Sequence, residues 1–468
     1  MNRPRTVSDL IPTRRELLKY GGLGLAGASL DGFCPVKLNA ADSSRKTNPR
    51  GGARNVIFFE ISGAISHLDT FDFKDNIATP KDFQVRKIDT GIYFPVNMFP
   101  RLEKVMNRVA IQRSFVNHEE VHLRGQYYLQ AGRQLNVAFA REIPSVGSVV
   151  ASELESSRRD SDTFPTYMSF NLETNQVGAL ATGFLHPRFA VFDLNAQAAL
   201  SGMSLDEKAV ELIEERWRVL SRLREVRGRM DSYGRDVGAF ENYSDTAKRL
   251  LTDSRWPPTF RLTDQDKKRY GNTGVGIASA LTRNVLAQDA GTRYIHICQH
   301  GWDHHKHIWD RSNPDNHYKL ISDFDPAAAS LIEDLATTPS KASPGKMLLD
   351  ETLVVMMSEF GRTPGPLNHM AGRDHHKFVF PAMFAGAGVK GGLVLGASDS
   401  DGRACIDTGW KHKAQPRIEN VISTIYSALG IDWGKGIGNT PSGRTYVYVD
   451  PLGANGTIPT DDLSGIYG

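Results

Sequence analysis

The stretch Asn55-Val56-Ile57-Phe58-Phe59-Glu60-Ile61 is apolar almost throughout, rich in β-branched and aromatic side chains, and closed by Ser62-Gly63. A run this short, bounded by polar residues and a glycine, predicts a compact buried strand. Similar runs recur at Arg108–Arg113 (RVAIQR), Arg293–Cys298 (RYIHIC), Thr352–Met357 (TLVVMM) and Phe378–Ala385 (FVFPAMFA), where Pro381 weakens the strand reading. Helical patterns separate them at Phe99–Met106, Leu123–Ala131, Leu205–Arg227, Tyr243–Leu251, Pro326–Ala336 and Pro416–Leu429. This alternation predicts an α/β fold with a largely parallel central sheet flanked by helices on both faces.

Working outward, residues 41–54 are polar and Gly-rich and read as a flexible linker, while 55–468 read as one domain with a charged helical insertion at about 205–268. Upstream, Thr13-Arg14-Arg15-Glu16-Leu17-Leu18-Lys19 precedes a mild apolar run from Tyr20 to Leu30, with small residues at Ala40 and Ala41. That order reads as a twin-arginine signal peptide over 1–40, which makes the export machinery a partner and the periplasm or cell exterior the working compartment. Twin-arginine export commonly carries proteins already folded around a metal or cofactor. The bland alternative is an amphipathic N-terminal helix.

The formal charge is +3, much of it in the first 54 residues and the rest dispersed, so nucleic acid is not an expected partner. No later stretch reaches the length of a membrane-spanning helix. Of Cys34, Cys298 and Cys405, the first leaves with the signal, and the other two leave room for at most one disulfide. Asp31-Gly32-Phe33 matches an acylation box poorly, so no lipid anchor is expected.

Histidine placement carries the strongest chemical signal. Nine of 14 histidines fall between His296 and His376, in two groups that each follow a predicted strand, where an open α/β sheet binds its ligands. The first loop, Gln299 to His307, offers Asp303 with His304 and His305, of which one suffices as ligand. The second offers Glu359, Arg362, and then Asp374 with His375. Carboxylate oxygens beside imidazole nitrogens suit a divalent metal, one ion or two, and zinc, calcium and manganese are not distinguished at this level. Arg362 presents a planar fork suited to an anionic group. The competing reading is a pair of polar, solvated loops.

Two N-terminal segments complete the expected site. Ser62 to Asp72 follows the first strand and brings Ser66 and Asp69; Arg113 to His122 follows the second and brings His118 and His122, which share one side if helical.

Together these segments resemble the exported, sulfatase-like family catalogued as domain of unknown function fifteen-oh-one, within the alkaline phosphatase superfamily. The resemblance rests on SGAISHLDTFD (Ser62–Asp72), IQRSFVNHEEVH (Ile111–His122), IPSVGS (Ile143–Ser148), GWDHH (Gly301–His305), SEFGRTP (Ser358–Pro364), GRDHH (Gly372–His376) and GAGVKGG (Gly386–Gly392). It implies an alkaline-phosphatase-like sheet and hydrolysis of phosphate or sulfate esters, on a small anionic ester or a sulfated or phosphorylated glycan. By the same resemblance Asp303 and His305 serve one metal, Glu359 and the Asp374-His375 pair another, with Asp69 nearby. The sulfatase C/S-x-P-x-R sequence is absent, and where the phosphatase nucleophile falls this chain has His118 and His122. Ser66 and Thr70 are the remaining hydroxyl candidates, with a metal-activated water as their substitute. A non-catalytic metal- or glycan-binding protein on the same scaffold is the alternative.

Overall fold

In the computed structural model, the described residues are 47–172, 182–202, 207–227, 235–438, 440–453 and 456–468. The expected signal peptide lies outside them, as do residues 41–46 of the expected linker and the start of the expected insertion. All described residues belong to one unit, Ser44–Gly468.

An eight-stranded sheet forms its centre. In chain order the strands are β1 (Asn55–Ile61), β2 (Val109–Phe115), β3 (Tyr167–Phe170), β4 (Phe192–Leu194), β5 (Tyr294–Gln299), β6 (Thr352–Met357), β7 (Phe380–Ala385) and β8 (Val394–Leu395). Across the sheet they run β8-β2-β7-β6-β1-β5-β3-β4. β1 pairs in parallel with both β5 and β6, and only β7 runs against its two neighbours. Every residue of β1 is buried, because helices cover both sides. Ile57, Phe59 and Ile61 enter one apolar cluster while Val56 and Phe58 enter the other, the two-residue period of a strand between two layers.

On the first face pack α5 (Gly274–Gln288) and α6 (His317–Thr337); on the second pack α1 (His122–Ala131), α2 (Val146–Glu153) and α7 (Ile418–Ala428). Between β4 and β5 the described residues include α3 (Glu207–Arg227) and α4 (Arg235–Thr252) ahead of α5. Residues 47–54 run beside the end of α7, where the Gly51 and Ala53 amides donate to the Ser427 and Ala428 carbonyls at 2.9 and 2.8 Å.

Two prolines behave differently from expectation. Pro381 sits inside a strand flanked on both sides, and the register against β2 shifts between Phe380 and Ala382, so its missing N–H falls at an irregularity. Pro326 lies within α6 rather than opening it; the helix starts at His317, capped by Asn316, whose side chain accepts from the Lys319 amide at 3.0 Å. β3, β4 and β8 are too short to be seen by periodicity. Cys405 is a free thiol, so no disulfide joins it to Cys298. No helix among the described residues is long and apolar enough to cross a membrane.

Candidate metal centre

The site forms where β1, β5 and β6 end. Because these strands are parallel neighbours, the loops that follow them, starting at Ser62, His300 and Ser358, emerge at one edge. Gly63 makes their convergence tight. It has φ +110°, and a Cβ there would lie 2.6 Å from the Asp303 amide nitrogen, so a side chain would push the two loops apart. Its own amide donates to Glu359 Oε1 at 2.9 Å. The Ser358-to-Thr363 and Arg373-to-His376 segments join in a short antiparallel ribbon pairing Arg362 with His375 and Gly361 with His376.

His122, Asp303, His305 and His375 converge, each offering a ligand atom within 4.8 Å of all the others. His122 Nε2 lies 3.0 Å from Asp303 Oδ1, His305 Nε2 lies 3.2 Å from the same oxygen, and His375 Nε2 lies 3.7 Å from it. The His305 and His375 Nε2 atoms are 2.8 Å apart. Each of the three imidazoles is tied at its other nitrogen to an oxygen that can only accept. His122 Nδ1 donates to Glu359 Oε1 at 2.7 Å, His305 Nδ1 to Asp374 Oδ1 at 2.8 Å, and His375 Nδ1 to the Glu120 carbonyl. With the Nδ1 atoms so placed, three Nε2 atoms aim at one point beside a carboxylate, an arrangement that a proton, as on His122, or a cation between them satisfies. The set is able to hold a metal ion.

Electrostatics follow from the same contacts. Burial alone disfavours charge on Asp303, but hydrogen bonds from His122, His375 and Arg362 outweigh it and hold the carboxyl far below the usual range. Burial pulls His122 down, yet Asp303 and Glu359 prevail and push it up to about 9. Asp374 is held below its ordinary value, chiefly by His305.

The remaining expected residues take other places. Glu359 is buried and serves His122 from behind; Asp374 does the same for His305 from the exposed rim. The structure therefore joins His375 with Asp303 and His305, where the resemblance divides them between two metals. Arg362 is fully buried, and its guanidinium donates to the backbone carbonyls of Gly63, Ala64 and Arg373 and to Asp303 Oδ1 at 2.7 Å. It supports Asp303 rather than facing the open side. Asp69 forms a buried ion pair with Arg373 (2.8 Å to Nε) and accepts from Ser66 Oγ at 2.5 Å, so both expected residues are engaged with each other under the surface. His118 lies ahead of α1, which begins at His122, and meets Arg417 instead of sharing a helical face with His122. Of the adjacent pair His304 and His305, the former turns inward to the Asp315 carbonyl at 2.6 Å. Two supporting groups escape sequence reasoning: the Glu120 carbonyl, and Asn117, whose side chain donates to the Glu359 carbonyl. A carbonyl leaves no residue-type signal, and Asn117 is marked only by its place beside His118.

Several solved structures are similar in outline. The lipoteichoic acid synthase LtaP from Listeria monocytogenes is 10% identical over 83% of this chain and 77% of its own, with a TM-score of 0.40. The PsFucS1 sulfatase from Pseudoalteromonas sp. is 11% identical over 82% and 68%, TM-score 0.39. The C-terminal periplasmic domain of EcEptC from Escherichia coli, in complex with Zn, is 10% identical over 90% and 98%, TM-score 0.38. No curated protein matches the chain. The family described as Protein of unknown function (DUF1501) matches residues 53–450, and the chain belongs to that family.

Proposed function

We propose that this chain is an exported, metal-dependent hydrolase of phosphate or sulfate esters. The observation that carries the reading is the convergence of three oriented Nε2 atoms beside the Asp303 carboxylate. Four ligands around an ion with bonds near 2 Å stand about 3.3 Å from one another in a tetrahedron. Four of the six separations here, 2.8 to 3.7 Å, bracket that value, and all six lie within 4.8 Å. Three nitrogens and one oxygen favour zinc, then manganese, and disfavour calcium, which takes six to eight oxygens.

Such an ion supplies Lewis acidity at an ester oxygen and acidifies water. The chain's own residues set the stage for it. Glu359, Asp374 and the Glu120 carbonyl hold the three Nδ1 protons, which fixes the imidazole planes; Arg362 fixes Asp303. Asp303 and His305 are 48% and 40% exposed, so an anionic ester or a sulfated or phosphorylated glycan reaches the centre from the open side. Export through the twin-arginine pathway rests on Arg14 and Arg15, and replacing both with lysine is expected to keep the protein in the cytoplasm.

Metal analysis of the exported protein tests the site, with one zinc or manganese per chain expected. Hydrolysis of an aryl phosphate and sulfate panel, lost in Asp303→Ala without unfolding, tests the activity. Metal-loaded protein that turns over no ester overturns it.

One observation favours a second reading, a non-catalytic metal- or glycan-binding protein. Among the described residues no Ser, Thr or Cys side chain hydrogen-bonds to the side chains of the four converging groups, and Ser66 is committed to Asp69. A trapped covalent phospho- or sulfo-enzyme would eliminate it.

A further inference from the structure

Helix α3 carries an apolar stripe that is exposed among the described residues. Leu212, Val219 and Leu223 are 47%, 58% and 51% exposed. The opposite side of the helix leans on the body: Ile213 and Trp217 are half-buried, and Trp217 and Ser221 line a cleft with Phe189 and Phe192. In sequence Leu205, Ala209, Leu212, Arg216, Val219, Leu223 and Val226 follow alternating steps of four and three, the seam of a coiled coil with one polar position.

Charge is divided along this helix. Glu207, Glu211, Glu214 and Glu215 occupy its first half; Arg218, Arg222, Arg224 and Arg227 occupy its second, with Lys208, Arg216 and Glu225 as exceptions. Parallel pairing with an identical helix would oppose like charges. Antiparallel pairing lays the acidic half of one copy on the basic half of the other, bringing Glu215 opposite Arg222 on both sides of a two-fold axis.

We infer that α3 is a self-association surface, on which a second copy of this chain docks its own α3 antiparallel across the Leu212–Val219–Leu223 stripe. The helix has 21 residues, about 31 Å of axis, which sets the contact at the small end of specific interfaces.

Sedimentation of the full chain over about 1–100 μM tests this. The expected result is a shift from one chain to two across that range. Leu212→Glu with Leu223→Glu, both at exposed positions, is expected to abolish the shift while thermal stability is unchanged. Glu214→Arg with Glu215→Arg is expected to weaken association at least tenfold, and adding Arg222→Glu and Arg224→Glu in the same chain to restore it. A wild-type chain that stays monomeric throughout overturns the proposal. So does a dimer that survives the two leucine substitutions, or a monomer whose stripe binds phosphatidylcholine vesicles instead.

Discussion

Arg362 donates from Nη2 to Asp303 Oδ1 at 2.7 Å, joining a guanidinium with no solvent exposure to a carboxylate that is 48% exposed. The arginine's other donors go to backbone carbonyls of the β1 and β6 loops, so its position is fixed by the fold and Asp303 inherits that fixity. A lysine has neither the fork nor enough donors. Arg362→Lys is expected to weaken zinc binding about 10- to 100-fold by calorimetric titration. It is also expected to cost about 3 kcal/mol of stability, because buried carbonyls lose partners. Unchanged zinc affinity in a folded variant would show that Asp303 needs no such support.

His122 poses a parallel test through Glu359. Glu359→Gln keeps an oxygen able to accept from His122 Nδ1 and from the Gly63 amide, whereas Glu359→Ala removes both contacts. Zinc affinity is expected to fall about tenfold in the first and toward a hundredfold in the second. Equal losses would mean that charge, not orientation, is what Glu359 provides.

Much of this architecture was legible in sequence because the strands are buried on both faces and read as unbroken apolar runs. Asn55–Ile61 and Thr352–Met357 are strands with the predicted bounds. Strands of two to four residues, such as Val394–Leu395, carry no periodicity to read. Histidine enrichment pointed to the edge of the sheet where His122, Asp303, His305 and His375 converge, but counting imidazoles does not assign them. His67 and His376 stack with ring centroids 5.6 Å apart, His296 pairs with Glu60 at 2.8 Å inside the core, and His304 turns inward. The arginines of the SEFGR and GRDHH motifs are both fully buried, so these segments are built as much for folding as for display. Whether an aspartate faces a cation or a buried arginine depends on contacts hundreds of residues apart, as Asp69 and Arg373 show.

Gly372 illustrates how closely the second loop must approach the first. A Cβ there would lie 2.1 Å from the His305 carbonyl carbon, against backbone that cannot swing away. Gly372→Ala is expected to cost more than about 3 kcal/mol by thermal unfolding and to lower zinc occupancy. Gly388→Ala is the control: its φ is +83° but a Cβ would meet nothing within 4 Å, so a cost of only about 1 kcal/mol is expected. Equal costs would attribute the Gly372 effect to something other than lack of space.

Acid stability follows from His67. Burial, first, and His376 beside it pull this imidazole from 6.5 down to about 4. The unfolded chain thus binds a proton between those two values that the folded chain refuses, so stability is full above pH 6.5 and lost as pH falls toward 4. By the difference in pKa, the loss is on the order of 3 kcal/mol. Asp325, pushed up to about 6 by burial, acts in the opposite sense, since its contribution is present at low pH and lost as pH rises through 6. Comparing the wild type with His67→Gln isolates the histidine, and the variant's denaturation midpoint is expected to fall less between pH 6.5 and 4. Parallel profiles would remove His67 from the account.

Asp69 separates folding from metal binding most sharply. Its carboxylate meets Arg373 Nε at 2.8 Å and Nη2 at 3.2 Å, both residues fully buried, and accepts from Ser66 Oγ. Asp69→Asn leaves the guanidinium without its counter-charge, at an expected cost of about 3–5 kcal/mol. Arg373 also spans the turn that delivers His375, through donations to the Thr363 and Gly365 carbonyls at 2.9 Å. Ser66→Ala removes one hydrogen bond only and is expected to cost about 1 kcal/mol. If Asp69 serves the fold, the Asn variant at low temperature keeps full metal stoichiometry while its melting temperature drops. If elemental analysis shows the folded variant to be metal-free, Asp69 is a ligand and this buried pair must open when the ion enters.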